Sequence, residues 1–346
     1  MSRDFVTLAC DVGGTNTSLA AIVRKEGTFS IIHHARFTSN ELPNLRTAIA
    51  GVLSELDDRS LVPGSISISG AGPVEKSYCS LSNVKWDIDG AEIERETRIP
   101  TFVINDFSAI SYGIPLMNTG DPNQLLAIPH PDGTIPPPDG SVRAIVGAGT
   151  GLGVGYLVEQ NQSFTAFPSE GGHSDFAVVD EVGRDMWHYL RERIGKNPGA
   201  ELFVSGQGLA NTLAFFQDSQ RIPSGPVRNL DPSSPDVPRL ISELAEKEEP
   251  TAQTIMRTFI VHYARFASTA ALHFLPTAGL FLAGGIATKN IRWFTDGALF
   301  MEHFLRNYRS NVESLLARIP VYIVRDYNIS LYGAAHAAYL FQEKKQ

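Results

Sequence analysis

The chain has 346 residues, a length that predicts about two domains at the usual domain size. Hydrophobic residues make up 43% and charged residues 19%, a balance that is typical of a globular protein and excludes a disordered or fibrous one. The 29 basic and 37 acidic residues leave a formal net charge of −8 without any Lys/Arg block. We therefore expect no nucleic-acid partner held by a bulk positive field, whereas anionic small molecules held by backbone N–H groups remain open.

The apolar segments and the cysteines predict a reduced cytoplasmic protein without a membrane partner. The apolar run at residues 5–10 stops at Asp11 and is too short for the core of a signal peptide. The most apolar stretch, residues 270–286, is interrupted by a histidine, a proline and a glycine, whereas a membrane span needs about 20 continuous apolar residues. Cys10 and Cys79 are too few for a cysteine-rich metal cluster, and one disulfide between them is less expected than two free thiols.

The first third of the chain predicts an α/β arrangement. Strand-forming runs at 5–10 and 19–23 flank a glycine turn and predict a β-hairpin, with a third strand at 31–37. The segments that follow are a helix at 45–56, a strand at 65–69, a helix at 88–98, a strand at 101–104 and a helix at 107–114. Residues 115–141 are rich in proline and glycine and predict the loop at which a first domain ends.

The rest of the chain begins with the same pattern. A strand at 144–146, a glycine turn at 147–153 and a strand at 154–158 repeat the hairpin, so we expect two diverged copies of one domain with a cleft between them. The further segments are helices at 180–194 and 208–216, a long helix from Pro250, a strand at 279–283, a helix at 301–316, a strand at 321–324 and a helix at 332–341. The predicted fold class is therefore α/β.

Three glycine elements are candidates for binding a nucleotide. In the turn Asp11-Val12-Gly13-Gly14-Thr15 the glycines allow positive φ and remove side chains, so that an anion can contact backbone N–H groups, and Asp11 offers an oxygen ligand for Mg²⁺. An ordinary tight turn explains the same residues. The alternating glycines of 147–153 fit neither a dinucleotide fingerprint nor a Walker motif, but exceed what a short turn needs. The pair Gly284-Gly285 either admits the face of an adenine or serves close packing.

Polar side chains near predicted strand ends indicate a sugar site. Asn105-Asp106 follows a strand and precedes a helix, where an Asp either caps the helix or accepts a proton from a substrate hydroxyl. The loop Glu170-Gly171-Gly172-His173 and the carboxylate of Glu201 add further polar groups. Sugars need many convergent acceptors and amide groups, which is why this set points to them.

Taken together, these motifs resemble the bacterial-type ATP-dependent glucokinases of the actin, sugar-kinase and chaperone-ATPase superfamily. The matching segments occur in the family's order over nearly the whole chain, and the cysteine-rich zinc motif of the related ROK sugar kinases is not in the sequence. The segments are Asp11-Val12-Gly13-Gly14-Thr15-Asn16, Ile104-Asn105-Asp106-Phe107, Gly147-Ala148-Gly149-Thr150-Gly151-Leu152-Gly153, Glu170-Gly171-Gly172-His173, Ser205-Gly206 and Ala283-Gly284-Gly285-Ile286.

The resemblance implies two actin-like (ribonuclease H-like) domains with an interdomain cleft. The small α/β domain would comprise residues 1–116 plus 326–346, and the large α/β domain residues 117–325. The implied reaction is the ATP-dependent phosphorylation of D-glucose to glucose 6-phosphate with Mg²⁺, in which Asp106 is the catalytic base. The implied glucose-binding residues are Asn105, Asp106, Gly151, Glu170, His173 and Glu201. The implied nucleotide-binding residues are Cys10, Asp11, Val12, Gly13, Gly14, Thr15, Gly149, Thr150, Gly284 and Gly285, and Asp11 is also the implied metal ligand.

Two other functions stay open from the sequence. One is a kinase that accepts a broader range of hexoses, and the other is a sugar or nucleotide sensor of the same fold without transferase activity. A sensor needs no catalytic base, which favours an enzyme because Asp106 is present. The oligomeric state is not determined by the sequence, and a homodimer is one alternative.

Overall fold

The computed structural model describes residues 5–81, 84–178, 180–221 and 225–344. The strands are β1 Phe5–Val12, β2 Asn16–Lys25, β3 Thr28–Thr38, β4 Ser65–Gly70, β5 Val74–Glu75, β6 Tyr78–Cys79, β7 Ile88–Asp89, β8 Thr101–Asn105, β9 Leu125–Ala127, β10 Val142–Ala148, β11 Leu152–Gln160, β12 Ser163–Ser169, β13 Leu280–Ala283 and β14 Val321–Val324. The helices are α1 Leu45–Asp57, α2 Gly90–Thr97, α3 Asp106–Gly113, α4 Glu181–Ile194, α5 Gly206–Asp218, α6 Val237–Glu246, α7 Pro250–Phe274, α8 Gly285–Lys289, α9 Ile291–Thr295, α10 Leu299–Leu305, α11 Ser310–Leu316 and α12 Ile329–Glu343.

The described chain divides into two compact units. Unit 1 contains the described residues of Met1–Asn118, Leu157–Pro168 and Asp326–Gln346, and unit 2 those of Thr119–Tyr156 and Ser169–Arg325. The division expected from the sequence assigns 157–168 to the large domain, whereas the structure groups this segment with unit 1. The reason is apolar packing, because Leu157 and Phe164 join the cluster around α3 and α12.

Unit 1 contains a five-stranded sheet with the order β3-β2-β1-β4-β8. β1 is antiparallel to β2 and parallel to β4, and β4 is parallel to β8. Alternate residues of β1 enter opposite apolar clusters, since Leu8 and Cys10 pack with α1 whereas Ala9 packs with α3 and α12. Helices therefore cover both faces of this sheet, as the continuous apolar run of β1 predicts.

The second sheet has the order β12-β11-β10-β13-β14-β9. β13 is parallel to both β10 and β14, and β9 is antiparallel to β14 at the edge. The short strands β5–β7 and the edge strand β9 are left out of the following comparison. If the remaining five strands of each sheet are numbered in chain order, both sheets have the strand order 3-2-1-4-5. This shared order confirms the predicted duplication of one module.

Helix α7 forms the centre of the core of unit 2. Ile255, Phe259 and Tyr263 are fully buried, which confirms the apolar face expected from their spacing. The hydroxyl of Tyr263 donates a hydrogen bond to the carbonyl of Val146 in β10, at 3.1 Å. The helix is thereby fixed to the strand that leads into the glycine turn of this unit.

The prediction of a single helix at 301–316 is wrong. The structure has two helices there, α10 and α11, and the backbone is extended at Arg306 and Arg309. The guanidinium of Arg265 on α7 donates to the carbonyls of His303 and Arg306 at the end of α10. Because a side chain from another helix satisfies these carbonyl groups, α10 can end there. The spacing of apolar residues along the chain carries no information about this contact.

Three smaller differences also have local causes. The helix predicted at 88–98 begins at Gly90, because residues 88–89 form β7 and the Asp89 side chain accepts a hydrogen bond from the Glu92 amide at 2.9 Å. The proline-rich loop expected at 115–141 contains β9, which pairs with β14. The sequence does not predict β12, which follows β11 through a two-residue turn.

Both cysteines are reduced in the structure, as expected from their number. Cys10 and Cys79 are free thiols, both buried. Among the described residues, no helix combines the length and apolarity that crossing a membrane requires.

Candidate active site

The carboxyl ends of three parallel strands in unit 1 bring predicted site residues to one edge of the sheet. Asp11 near the end of β1 lies in register with Ser69 of β4, and Gly70 lies in register with Asn105 at the end of β8. Asp106 is the next residue and begins α3. Ligands of open α/β sheets bind at such an edge, so the strand order places these residues where chemistry is expected.

Asn105, rather than Asp106, caps α3. Its side-chain oxygen accepts hydrogen bonds from the amides of Phe107 at 2.9 Å and Ser108 at 3.3 Å. Its amide nitrogen donates to the carbonyl of Gly72 at 3.1 Å. The cap that the sequence assigns to an Asp is therefore made by the preceding residue, and the Asn105 side chain also forms a hydrogen bond with the Asp106 carboxyl group.

The side chain of Asp106 is partly buried, and its carboxyl group has a raised pKa. Burial is the main cause, and the nearby Asp11 charge adds to it, while hydrogen bonds from the Phe107 amide and from Asn105 act in the opposite direction. The resulting pKa is about 6, compared with an ordinary value of 3.8. At pH 7 the group is therefore mostly ionised, yet more basic than a solvated Asp.

The first glycine turn is fixed by Ser39. The amide of Gly13 donates to the carbonyl of Asn16 at 3.0 Å, and the hydroxyl of Ser39 donates to the carbonyl of Gly13 at 2.7 Å. The turn does not use the positive φ that glycine allows, because neither Gly13 nor Gly14 has it. Space is the reason for glycine at position 13, since a Cβ there would lie 3.2 Å from the Asn16 carbonyl oxygen. The side chain of Thr15 is exposed at the tip of this turn.

Cys10 and Val12 present no side chain to a nucleotide. Both are buried in the apolar cluster under β1, with exposures of 0% and 1%. Burial raises the pKa of the Cys10 thiol far above its ordinary value, so the thiol is neutral. Only the backbone of these two predicted residues is available to contact phosphate.

The second glycine turn is attached to Glu201 in unit 2. The amide of Leu152 donates to Oε2 of Glu201 at 2.9 Å, and the amide of Gly206 donates to the carbonyl of Gly149 at 2.7 Å. A Cβ on Gly151 would lie only 2.5 Å from that same Oε2, whereas a Cβ on Gly149 would meet nothing within 4 Å. A side chain at 151 would therefore displace the carboxylate, and Thr150 lies between the two glycines at the exposed surface.

The three polar side chains expected to bind sugar lie together within unit 2. Nε2 of His173 is 3.7 Å from Oε2 of Glu170, and Nδ1 of His173 is 4.0 Å from Oε1 of Glu201. The side chains of Glu170 and His173 are 79% and 64% exposed, while that of Glu201 is 30% exposed. Glu201 is therefore the most fixed of the three, because its second oxygen is already held by Leu152.

The structure gives Gly284 a packing role. Its φ is +90°, and a Cβ there would overlap the carbonyl of Ala148 at the end of β10. Gly285 begins α8 and has open space around its Cα, with only Lys289 at 4.0 Å. The close approach of strand and helix explains the first glycine, and the second remains available to a ligand.

Asp11 fits a Mg²⁺ ion that keeps most of its water. Among the described residues, no group of three or more His, Cys, Asp or Glu side chains is placed to hold a metal. Mg²⁺ is commonly bound by one or two carboxylates together with water and substrate phosphate, so a single carboxylate is enough. Both oxygens of Asp11 accept hydroxyl hydrogen bonds, from Ser69 at 2.7 Å and from Ser330 at 2.8 Å.

Sequence reasoning missed the serines around the first turn. Ser39, Ser69 and Ser330 lie on different elements, and each bonds to the 11–13 segment. Isolated serines carry no spacing signal, so only the folded chain identifies them.

Comparison with known proteins identifies the family. The glucokinase family model matches residues 8–340. A glucokinase of Nostoc punctiforme (strain ATCC 29133 / PCC 73102) is 30% identical, over 96% of this chain and 98% of that protein. The crystal structure of a glucokinase from an Antarctic psychrotroph has a TM-score of 0.82 at 27% identity, covering 96% of this chain and 98% of that one.

A more distant structure shares the fold. It is a ROK family glucokinase from Streptomyces griseus, in complex with glucose and AMPPNP, with a TM-score of 0.59 at 17% identity and coverage of 96% and 98%. These likenesses confirm the α/β, actin-like two-domain fold class. With a family model that covers nearly all of its length and a relative of 30% identity over 96% of it, the chain belongs to the glucokinase family.

Proposed function

We propose that the protein transfers the γ-phosphoryl group of ATP to the 6-hydroxyl of D-glucose. The observation that carries this proposal is the Asp106 carboxyl group, which lies at the end of β8 with a pKa raised to about 6 by burial. A cytoplasmic location, where ATP is available, and a place at the entry of glucose into glycolysis follow from the same proposal.

Asp106 acts as the general base. Its carboxylate accepts the hydroxyl proton while the sugar oxygen bonds to the γ-phosphorus and the bond from that phosphorus to the leaving ADP oxygen breaks. The transition state of phosphoryl transfer is loose, so the proton leaves late and a moderate base is sufficient. The Phe107 amide donates to Oδ1 of this carboxylate, and a carboxylate keeps acceptor capacity for the substrate hydroxyl beyond such a bond.

Glu201, His173 and Glu170 recognise the sugar hydroxyls. Oε2 of Glu201 is occupied by the Leu152 amide, so Oε1 is the oxygen that accepts a hydroxyl hydrogen bond. His173 lies between the two carboxylates and contributes a ring nitrogen. Asn105 acts at the reacting end of the sugar, where its side chain is bonded to Gly72 and to the Asp106 carboxyl group. Carboxylates that lose a hydroxyl partner are costly to leave unpaired, and this cost provides selectivity.

The nucleotide is held by the glycine turns and Asp11. We infer that the backbone at 13–15 and 149–151 contacts phosphate, because small residues leave room for an anion beside amide groups. Asp11 is the protein ligand of Mg²⁺, which when bound neutralises charge on the β- and γ-phosphates. The AMPPNP complex of the Streptomyces griseus relative supports ATP as the phosphoryl donor.

A hexose panel tests the proposed function. Glucose 6-phosphate or ADP formation is measured with ATP and glucose, mannose, fructose or galactose, and with ATP alone. We expect turnover with glucose that falls at least about 10²-fold in Asp106→Asn, the low end for loss of a general base. The control is Asp139→Asn, which removes an exposed carboxylate paired with Arg318 in unit 2.

Three results would each contradict a part of the proposal. Equal activity on all hexoses would favour the broader hexose kinase. ATP hydrolysis that does not depend on sugar, or nucleotide binding without any transfer, would favour the sensor. An Asp106→Asn variant with more than about a tenth of the wild-type kcat would remove Asp106 from the role of base.

A further inference from the structure

Two buried serine hydroxyls hold both oxygens of the Asp11 carboxylate. Ser69 of β4 donates to Oδ1 at 2.7 Å, and Ser330 in the first turn of α12 donates to Oδ2 at 2.8 Å. Ser69 is 0% and Ser330 is 7% exposed. Hydroxyls that bind an ionised acceptor make stronger hydrogen bonds than neutral pairs do, so both contacts favour one orientation of the carboxylate.

This arrangement matters because the last torsion of an Asp side chain is soft. A carboxylate rotates broadly about that bond unless its oxygens are held. Each oxygen of Asp11 accepts one hydroxyl bond, which leaves acceptor capacity on both oxygens for a further ligand. The two serines thus fix the plane of the Asp11 carboxylate and leave both of its oxygens able to accept a further ligand.

Helix α12 connects Asp11 to the element that carries the proposed base. Its Gly333 lies so close to α3 that a Cβ would overlap the carbonyl of Ala109, and a Cβ on Gly113 of α3 would lie 2.5 Å from Ile329. α3 begins at Asp106. Because α12 bonds to Asp11 and packs without space against α3, the position of Ser330 is tied to both carboxylates.

We infer that Ser69 and Ser330 are positioning residues that orient Asp11 toward the Mg²⁺ of a bound magnesium–nucleotide complex. This inference rests on the proposed function, since it takes Asp11 as the metal ligand. Removing a group that orients a metal ligand commonly lowers the affinity for the metal about 10- to 100-fold. The serines therefore affect nucleotide binding only when the metal is present.

Strand β4 supplies a matched control. Ser67 lies two residues before Ser69 on the same face of the strand, is 0% exposed, and its hydroxyl has no hydrogen-bond partner among the described residues. The substitution Ser67→Ala removes the same atom from the same strand without touching Asp11. This control thereby separates the effect of losing a buried hydroxyl from the effect of losing the hydrogen bond to Asp11.

The experiment measures ADP binding by calorimetry with Mg²⁺ and with EDTA. For each protein the ratio of Kd in EDTA to Kd in Mg²⁺ gives the contribution of the metal. We expect this ratio to fall about tenfold or more in Ser69→Ala and in Ser330→Ala, and to be unchanged in Ser67→Ala. Kd in EDTA should stay within about threefold of wild type in all three, by the same reasoning.

Further variants keep the inference testable if an alanine variant does not fold. Ser330→Cys and Ser69→Cys nearly preserve side-chain size, but a thiol is a weak hydrogen-bond donor. In both variants the ratio of Kd in EDTA to Kd in Mg²⁺ should therefore fall as well. A wild-type ratio close to one, an unchanged ratio in both serine variants, or an equal fall in Ser67→Ala would each overturn the inference. The titration needs no sugar turnover, so failure of the proposed function appears separately, as a wild-type protein that does not phosphorylate glucose.

Discussion

The substitution Gly151→Ala tests whether the second glycine turn and Glu201 form one site. The added Cβ would lie 2.5 Å from Oε2 of Glu201, so that the carboxylate must move by about 1 Å to reach an ordinary contact near 3.5 Å. That movement breaks or lengthens the 2.9 Å hydrogen bond from the Leu152 amide. Misplacing a binding group by about 1 Å can lower activity about 10²-fold.

The magnitude follows from the hydrogen bond that is lost. A hydrogen bond to a charged group contributes about 1.5–3 kcal/mol, which corresponds to about 10- to 100-fold in kcat/KM for glucose. We expect the loss mainly in the KM for glucose, with a smaller change in the KM for ATP. Steady-state kinetics with each substrate varied in turn measures both, and thermal melting establishes that the variant is folded.

Gly149→Ala is the matched control, because a Cβ at that position meets nothing within 4 Å. It should change the KM for glucose by less than about threefold, since no contact of Glu201 is altered, and any effect on the proposed phosphate contact should appear in the KM for ATP. In a Glu201→Ala background, Gly151→Ala should also have little further effect, because the two changes act on one contact. Equal losses at 149 and 151, or full additivity with Glu201→Ala, would refute the reasoning.

Three further predictions concern pH and sugar choice. Because Asp106 must be ionised to accept a proton and its pKa is raised to about 6 by burial, kcat/KM should fall below about pH 6, and a pH–rate profile with its acid limb near 4 would contradict this. His262 is fully buried with both ring nitrogens unpartnered in the described structure, and burial lowers its pKa from 6.5 to about 4. Folding therefore favours the neutral ring, and about 3 kcal/mol of stability, present above pH 6.5, is lost as the pH falls to about 4. Across this range the free energy of unfolding, measured with urea, should depend on pH less steeply in His262→Leu than in the wild type, and an identical slope in both proteins would exclude His262 as a source of it. Finally, kcat/KM for glucose should exceed that for mannose and galactose at least about 10²-fold, and Glu170→Gln should narrow the difference because a neutral amide is less costly to leave unpaired. A hexose series on both proteins measures this, and an unchanged ratio in the variant would remove Glu170 from sugar selection.

Features that depend on neighbouring residues in the chain were predictable. The glycine turns, the repeated hairpin and the apolar face of α7 all follow from periodicity and turn chemistry, and the structure contains them. The Asn105-Asp106 pair was also recognisable, because a polar pair between a strand and a helix has few roles. What the sequence could not say was which of the two residues caps α3.

Features that depend on contacts between distant segments were not predictable. The break between α10 and α11 depends on Arg265, which lies in a different helix. The reason for glycine at position 151 is the carboxylate of Glu201, fifty residues later in the chain. Likewise, nothing local marks Ser330 as a partner of Asp11. In each case the deciding atom is contributed by another element, and one sequence contains no record of that pairing.

The return of α12 to unit 1 has a consequence for synthesis on the ribosome. The sheet of unit 1 is made from residues in the first third of the chain, yet one of its faces is covered by α12, which is translated last. Until then Ala9, Ala20 and Ile104 on that face lack one of the two helices that cover them, since only α3 has been made, whereas every segment of unit 2 has already been translated. Chains generally fold from the N-terminus as they emerge, and exposed apolar surface promotes aggregation. Nascent chains arrested before residue 329 should therefore bind chaperones through this face, and release of the complete chain should end that binding.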